Sequence, residues 1–539
     1  MEAKVPSPTI DKLEDCNSVT KHEDQNLNER TTGDVLLVTK TNHVRRIPVP
    51  TNDPNDPLNF NKWRKLGIVV TCCWFSIFSI LSLSGTGTFM NTLYEMYGAH
   101  HSAEQITGLS TYPTMVMAFG CLGLLPLSFV LGRRPVFLLA VSIAFICNLT
   151  AGGSKDFRGH FISRIFVGLA TGATESILPL ILSDITFLNE RSFFFGLYWS
   201  VQNGVSSGIL IGLSYLVAAT SWRWYYWLFG ITLGVSALMV VFLLPETKFF
   251  RSPTSLDGQV VYTDEFGTTH IVSDEEARER WGNVQEHVTV TTEKRTFIQE
   301  LKPWSDVTPN GIQILASAYM KILQALTSPG VIFALMCASI SLGIGIGITL
   351  VYSTILVEAY HWSASSVGLF NAGVIPASLL AMFYAGFCAD KINLWLARRN
   401  NGIHRPEHHL VHLIVPCLTG VCGIVVIAVC ASHPEKYSAW GLVFGWAIYQ
   451  FSFTCILITS TTFAAEVIPQ NPGAAIVAVI GGKNIVSFSA SYGIVPMVSK
   501  YSYMKAFMIL MGIFIAIFAL GVPVFFLNHK WRKTISHRR

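Results

Sequence analysis

Residues 66–86 read LGIVVTCCWFSIFSILSLSGT, a run of 21 residues without a charged side chain, preceded by Lys62, Arg64 and Lys65. A helix of about 20 apolar residues covers the hydrocarbon core of a bilayer, so this run has the length of one crossing. Five more runs complete a first group, near Ile106–Leu131, Val136–Gly153, Phe161–Leu188, Phe193–Ala219 and Trp224–Leu244. Six form a second group, near Gly330–Val357, Ser366–Cys388, Leu410–Ala431, Ala439–Ala464, Ala474–Val498 and Met504–Leu527. Lipid offers no partner for a backbone N–H or C=O, so each run is expected to be a helix. The spacing predicts an all-α membrane protein, with twelve transmembrane helices in two six-helix bundles.

Composition points the same way. Of 539 residues, 51% are hydrophobic and 13% charged, against about 25% charged in a soluble domain. The mean hydropathy is +0.45. The chain divides into a disordered cytoplasmic N-terminal arm (1–60), a first bundle (61–245), a cytoplasmic linker (246–325), a second bundle (326–528) and a basic cytoplasmic tail (529–539). The linker is expected to hold one short surface helix at Ser273–Trp281. The first sixty residues are polar and contain no apolar signal core. The 11 cysteines lie mostly inside apolar runs without zinc-type spacing, which suits packing.

Lys and Arg in short loops set orientation. Lys62, Arg64, Lys65, Arg133, Arg134, Arg191, Lys391, Arg398, Arg399, Arg405, Lys530, Arg532 and Lys533 fall on one side if both termini are cytoplasmic. Fewer fall on the other: Lys155, Arg158, Arg223, Lys436, Lys500 and Lys505. The net charge of +5 thus reflects topology. No basic stripe interleaved with aromatics indicates nucleic acid.

A charge inside a lipid-length helix costs at least about 2.5–3.5 kcal/mol on insertion scales and marks a functional candidate. Arg164, Glu175 and Lys483 qualify. Glu175 lies about fourteen residues, or about 21 Å, into its run. A carboxyl at that depth, with no obvious adjacent cation, suits a proton or a cationic substrate. The alternative is a structural pair with Arg164 or Lys483. Arg164 shares a helix face with Glu175 but is about 16 Å away in axial rise, too far for contact. Tyr449 and Gln450 are polar and deep in the tenth run. Rings beside an acid suit organic cations, although most such rings pack in cores or interfacial belts. Asp184, Glu190 and Arg191 fall at the basic end of the fourth run, as a gate network or a solvated helix end.

Residues 125–136, LPLSFVLGRRPV, resemble the loop between helices 2 and 3 of the major facilitator superfamily, G-x-L-x-D-[RK]-x-G-[RK]-[RK]. Leu127, Gly132, Arg133 and Arg134 match; Leu125 replaces the first Gly, and Phe129 replaces the Asp that helps latch the two halves. The equivalent loop of the second half keeps an acid in Gly386-Phe-Cys-Ala-Asp390-Lys391. The segment RIFVGLATG, 164–172, is similar to the R-x-x-x-G-x-x-x-G of drug:proton antiporters. ESILPLILSDITFLNERSFFFGLY, 175–198, is similar to the helix 4–5 turn of fungal twelve-helix members. NDPLNFNKWRKL, 55–66, and LWLARRNNGIHRPEHHL, 394–410, resemble the branch that contains the yeast histidinol and polyamine importer. The fifth run, with Gly204, Gly208 and Gly212, lacks the Gly-Pro pair usual in such antiporters.

The resemblance implies gating roles for Gly132, Arg133, Arg134, Asp184, Glu190, Arg191 and Asp390. Glu175, Arg164, Lys483, Tyr449 and Gln450 become candidates for substrate or proton binding. The expected function is secondary active transport of a small organic molecule by alternating access, proton-coupled, with efflux of an amphipathic metabolite or drug. An importer of organic cations such as polyamines is the alternative, favoured by Glu175 and the missing helix 5 Pro. A non-transporting membrane sensor is a remoter one. No enzyme activity, cofactor or metal is expected: there is no Walker-type glycine loop, and no His-rich or nucleophile–base constellation falls at one membrane depth. The expected partners are the small-molecule substrate, protons and the lipid bilayer. The expected location is the plasma membrane, multi-pass, with both termini cytoplasmic.

Overall fold

The computed structural model describes residues 35–36, 51, 53–187, 190–249, 254–256, 259–263, 269–273, 295–302, 304, 310–363, 365–400, 403–468 and 472–538. The first group of apolar runs forms α1 (Lys62–Ser84), α2 (Ala103–Leu131), α3 (Arg133–Gly153), α4 (Phe157–Asp184), α5 (Arg191–Ala219) and α6 (Trp222–Leu243). The second begins with α7 (Pro329–Ala359), α8 (Val367–Arg399), α9 (His408–Ser432) and α10 (Trp440–Val467). The helical run Pro472–Ala519 is broken at Ser502, whose φ is 73°, into α11 (472–501) and α12 (503–519). Gly521–Arg538 continues α12. Among the described residues, 11 spans are long and apolar enough to cross a membrane. The remaining long helix is α5, of 29 residues, with Gln202 and Asn203 near its middle.

Sequence chemistry sets several helix ends. Ser102 and Gln105 form a capping box at the start of α2, and Asp156 caps α4 by accepting from the Gly159 N–H at 3.0 Å. A single residue, Gly132, separates α2 from α3. Its φ of 98° lies in the region glycine tolerates and other residues resist.

Helices α1–α6 pack as one half and α7–α12 as the other, meeting where α2 and α4 face α11 and where α5 faces α8 and α10. Small residues set the close approaches. A Cβ added to Gly172 would overlap the backbone of Gly120 and Cys121, so α4 lies directly against α2. A Cβ added to Gly196 of α5 would come 3.0 Å from the Gly386 Cα of α8, across the halves. Gly386 sits in a π-helical turn, Met382–Cys388, inside α8.

Part of the 1–60 arm is ordered, which differs from the expectation of disorder. Asp56 is fully buried; its carboxylate accepts from Thr51 N and Oγ1, each at 3.0 Å, and from Leu58 N at 3.0 Å. These bonds fix a turn that sequence composition had made look like a free tether. Strand β1 (Val35–Leu36) pairs antiparallel with β5 (Ile403–His404), in the loop between α8 and α9. The rest of the arm lies outside the described residues.

The linker also differs from expectation. Strands β2 (Thr254–Leu256), β3 (Gln259–Thr263) and β4 (Thr269–Ser273) form an antiparallel sheet, with Val260 opposite Val272. Their β-branched residues favour strands, a signal masked by the surrounding charges. Ser273 thus ends a strand, and the remainder of the expected Ser273–Trp281 helix lies outside the described residues. Helix Phe297–Leu301 docks on the first half: Glu300 pairs with Arg64 at 2.5 Å. Helix Gly311–Ala325 packs on α2 and α11.

Candidate functional site

The two halves meet at a buried polar trio. Glu175 of α4 and Lys483 of α11 form an ion pair with Oε1 and Nζ 2.5 Å apart. Asn484 Nδ2 donates to the other carboxylate oxygen, Oε2, at 2.5 Å. Lys483 and Asn484 are 1% and 3% exposed and Glu175 is 6% exposed, so the trio is withdrawn from water. Glu175 lies about 13 Å from the Asp184 end of α4 and Lys483 about 16 Å from the Pro472 end of α11. These similar depths, near the centre of a core about 30 Å thick, let the two side chains meet. Charges taken out of water must be paired or hydrogen-bonded, and here both hold.

Of the readings the sequence left open for Glu175, the structure shows the pair with Lys483 in place of an acid without an adjacent cation. The cation comes from the other half, 308 residues along the chain. Asn484 was missed because an uncharged amide in a glycine-rich helix gives no composition signal.

Arg164 is elsewhere. Its guanidinium donates to the carbonyl oxygens of Ser82, Leu83 and Leu109 and to Thr86 Oγ1. Two of these carbonyls belong to the last turn of α1, where a cation offsets the helix dipole and satisfies otherwise unpaired acceptors. Arg164 therefore ties α1, α2 and α4 within the first half and does not reach Glu175. Tyr449 is buried in packing: its hydroxyl donates to the Ser341 carbonyl at 2.5 Å and its ring stacks on Trp446. Gln450, its neighbour, has a buried Oε1 with no hydrogen-bond partner.

The end of the molecule rich in Lys and Arg carries the sequence-predicted gate residues. Arg133 Nε donates to Asp184 Oδ2 at 3.3 Å. Glu246, just after α6, accepts from the backbone N–H groups of Arg133 at 3.0 Å and Arg134 at 3.3 Å. It thereby caps the start of α3, a role that sequence reading had not given it. The Arg134 side chain donates to the carbonyls of Glu300, Lys302 and Val241, which joins the linker to the first half.

Asp390 of α8 lies beside Ser192 and the backbone N–H of Phe193, at the start of α5. An anion suits a helix N-terminus. Arg191 is partly buried, with an unpartnered Nε. Glu190 is exposed and makes no side-chain cap bond. Deeper in, Asn203 Nδ2 of α5 donates to Thr454 Oγ1 of α10 at 3.1 Å, a second polar bridge between the halves.

At the same end lies a histidine cluster that departs from the expectation of no His-rich constellation. His404 and His409 both contact Glu466 Oε2 through Nε2, at 2.7 and 3.0 Å. Asn393 bridges His409 and His412. His404 ends β5, His409 and His412 lie at the start of α9, and Glu466 comes from the end of α10, so the histidines are close in sequence and only their acidic partner is distant.

Among the described residues, 11 membrane-length apolar spans and the long helix α5 fall six and six around a buried cross-half ion pair, the layout of a multi-pass membrane protein built from two helical bundles. The chain belongs to the Major Facilitator Superfamily, whose family model matches residues 72–491. It is 25% identical over 485 residues to Protein HOL1 of Saccharomyces cerevisiae, covering 80% of this chain and 81% of that one. An uncharacterised transporter of this type from Schizosaccharomyces pombe is 22% identical, over 78% of this chain and 76% of its own. Among solved structures, a proton:xylose symporter of the same superfamily superposes with a TM-score of 0.55, at 12% identity, over 85% of this chain and 95% of its own. The human organic anion transporter MFSD10 gives 0.52 at 15% identity, over 85% and 97%. At those identities the superpositions speak for the fold alone.

Proposed function

We propose that the protein is a proton-coupled secondary transporter that exports a small amphipathic molecule by alternating access, with Glu175 as the coupling group. The observation that supports this reading is the Glu175–Lys483–Asn484 trio, which joins α4 of one half to α11 of the other. A proton on Glu175 removes the carboxylate charge and leaves Lys483 without its counter-ion. That weakens the link between the halves and couples protonation to their movement. While the pair is made, its net charge is zero, so it offers little to draw in an organic cation. Gln450, with its unpartnered buried Oε1, is the candidate hydrogen-bond acceptor for substrate.

In this reading the halves 61–245 and 326–528 move as two bodies, with 246–325 as the link. The Lys/Arg-rich end faces the cytoplasm, both termini with it, in the plasma membrane. Gly132, Arg133, Asp184, Asp390 and Arg191 act at that end as the gate.

Import of an organic cation is a second reading, favoured by one observation. Among the described residues, Glu175 is the buried acid in mid-helix, and a cationic substrate can replace Lys483 as its partner. Purified protein in liposomes with an imposed pH gradient, tested against amphipathic drugs and polyamines, separates the two. Under export coupling, Glu175→Gln loses dependence on the pH gradient yet keeps substrate exchange. Under cation import, its affinity for the cation falls about ten- to a hundredfold, since a desolvated charge contact is worth about 1.5–3 kcal/mol. Unchanged pH dependence together with unchanged affinity would remove Glu175 from both mechanisms.

A further inference from the structure

We infer that His404, His409 and Glu466 form a binding site for a divalent transition-metal ion of the zinc class, independent of the transport chemistry proposed above. His404 Nε2, His409 Nε2 and a Glu466 carboxylate oxygen lie within 4.8 Å of one another, and all three residues are buried. Two imidazoles and one carboxylate are a donor set that zinc favours, with three protein ligands and a fourth position left for water.

The required movement is small. Zinc binds nitrogen and carboxylate oxygen at about 2.0–2.2 Å, which places tetrahedral ligand atoms about 3.3 Å apart. The present separations are 2.7 Å for His404 to Glu466 and 3.0 Å for His409 to Glu466, and the two ring nitrogens lie within 4.8 Å of each other. Both ring nitrogens now hydrogen-bond the carboxylate, so the ion takes the place of two N–H hydrogens. Each ligating ring is then neutral and carries its hydrogen on Nδ1. For His409 the outer partner already exists: its Nδ1 lies 3.3 Å from the Asn393 side-chain amide. A rotation of that amide turns a donor into an acceptor, while His412, 2.9 Å from the same amide, accepts in exchange. An outer partner of this kind orients a ligating histidine.

The site has a structural reach. His404 lies on β5, which pairs with β1 of the N-terminal arm. His409 starts α9, and Glu466 is near the end of α10. A bound ion therefore clamps the arm's docking strand, the α8–α9 loop and α10 into one unit at the Lys/Arg-rich end. Transport by the loaded protein slows, and a chelator restores it.

The test uses tag-free, full-length protein in detergent. Co2+ is the probe, because its visible absorption distinguishes four- or five-coordinate nitrogen and oxygen ligation from hexa-aquo-like cobalt. One equivalent bound with the low-coordinate spectrum, displaced by Zn2+, supports the site. His404→Gln and His409→Gln should abolish that spectrum, and Asn393→Ala should weaken Zn2+ binding about ten- to a hundredfold. His433→Gln, at the far end of α9, should bind as the wild type does. An octahedral wild-type spectrum, or no saturable binding, would overturn the inference without any variant having to fold. So would stoichiometric binding that survives in both histidine variants.

Discussion

Replacing Lys483 by Ala leaves Glu175 buried at mid-membrane depth without its cation. Breaking a buried pair from one side costs about 3–5 kcal/mol, more than removing both partners. Lys483→Ala is therefore expected to lower the thermal midpoint in detergent more than Lys483→Ala combined with Glu175→Gln does. Simple additivity in that double-mutant cycle would mean that the pair contributes nothing. Arg164→Lys should act differently. It keeps the charge but loses the planar fork that serves several acceptors at once, so the folded yield should drop while the surviving protein keeps its pH response. A changed pH profile would instead return Arg164 to the transport site. Glu175, Arg164 and Lys483 were each legible in the sequence, because a charge in an apolar run stands out. Their partners were legible only as alternatives: Lys483 was one of two cations offered for Glu175, and a guanidinium that caps a neighbouring helix looks the same as one that binds substrate.

Helices were the most legible elements, because bilayer thickness imposes their length and lipid forbids other backbone conformations. Their contacts were visible only as a richness in small residues. The structure separates glycines that permit contact from those that touch nothing. Gly172 lies against the backbone of α2, whereas a Cβ on Gly212 of α5 would meet nothing within 4 Å. Gly172→Ala should thus force α2 and α4 apart and reduce stability, while Gly212→Ala should raise it by up to about 1 kcal/mol through helix propensity. Unfolding midpoints of the two variants check the contrast, and equal effects would refute it. The linker sheet, and the ordering of the turn-rich segment at Asp56, were not legible for the opposite reason. Short strands and turns in polar segments carry weak periodic signals, and the turn's carboxylate has to be seen accepting its bonds before it reads as structure.

At the scale of the whole molecule, the Lys/Arg asymmetry predicts that reporter tags at residues 3, 280 and 536 are all shielded from protease in intact cells. An accessible tag at 280 would refute the proposed orientation. Arg133→Ala should slow turnover with surface level near normal, since the Arg133–Asp184 contact lies at the basic end, away from the mid-membrane trio. Normal turnover would leave Arg133 only an orienting part. The neutrality of the Glu175–Lys483 pair has an electrical consequence. A carrier that returns empty with the pair made moves no net charge at this site, so the membrane potential does no work on that limb. Once Glu175 holds a proton, Lys483 is an uncompensated positive charge, worth about 2.3 kcal/mol per 100 mV if it crosses the full field. Voltage should therefore change the rate of the proton-loaded step alone, and the currents it drives should disappear when Lys483 is replaced by a neutral residue.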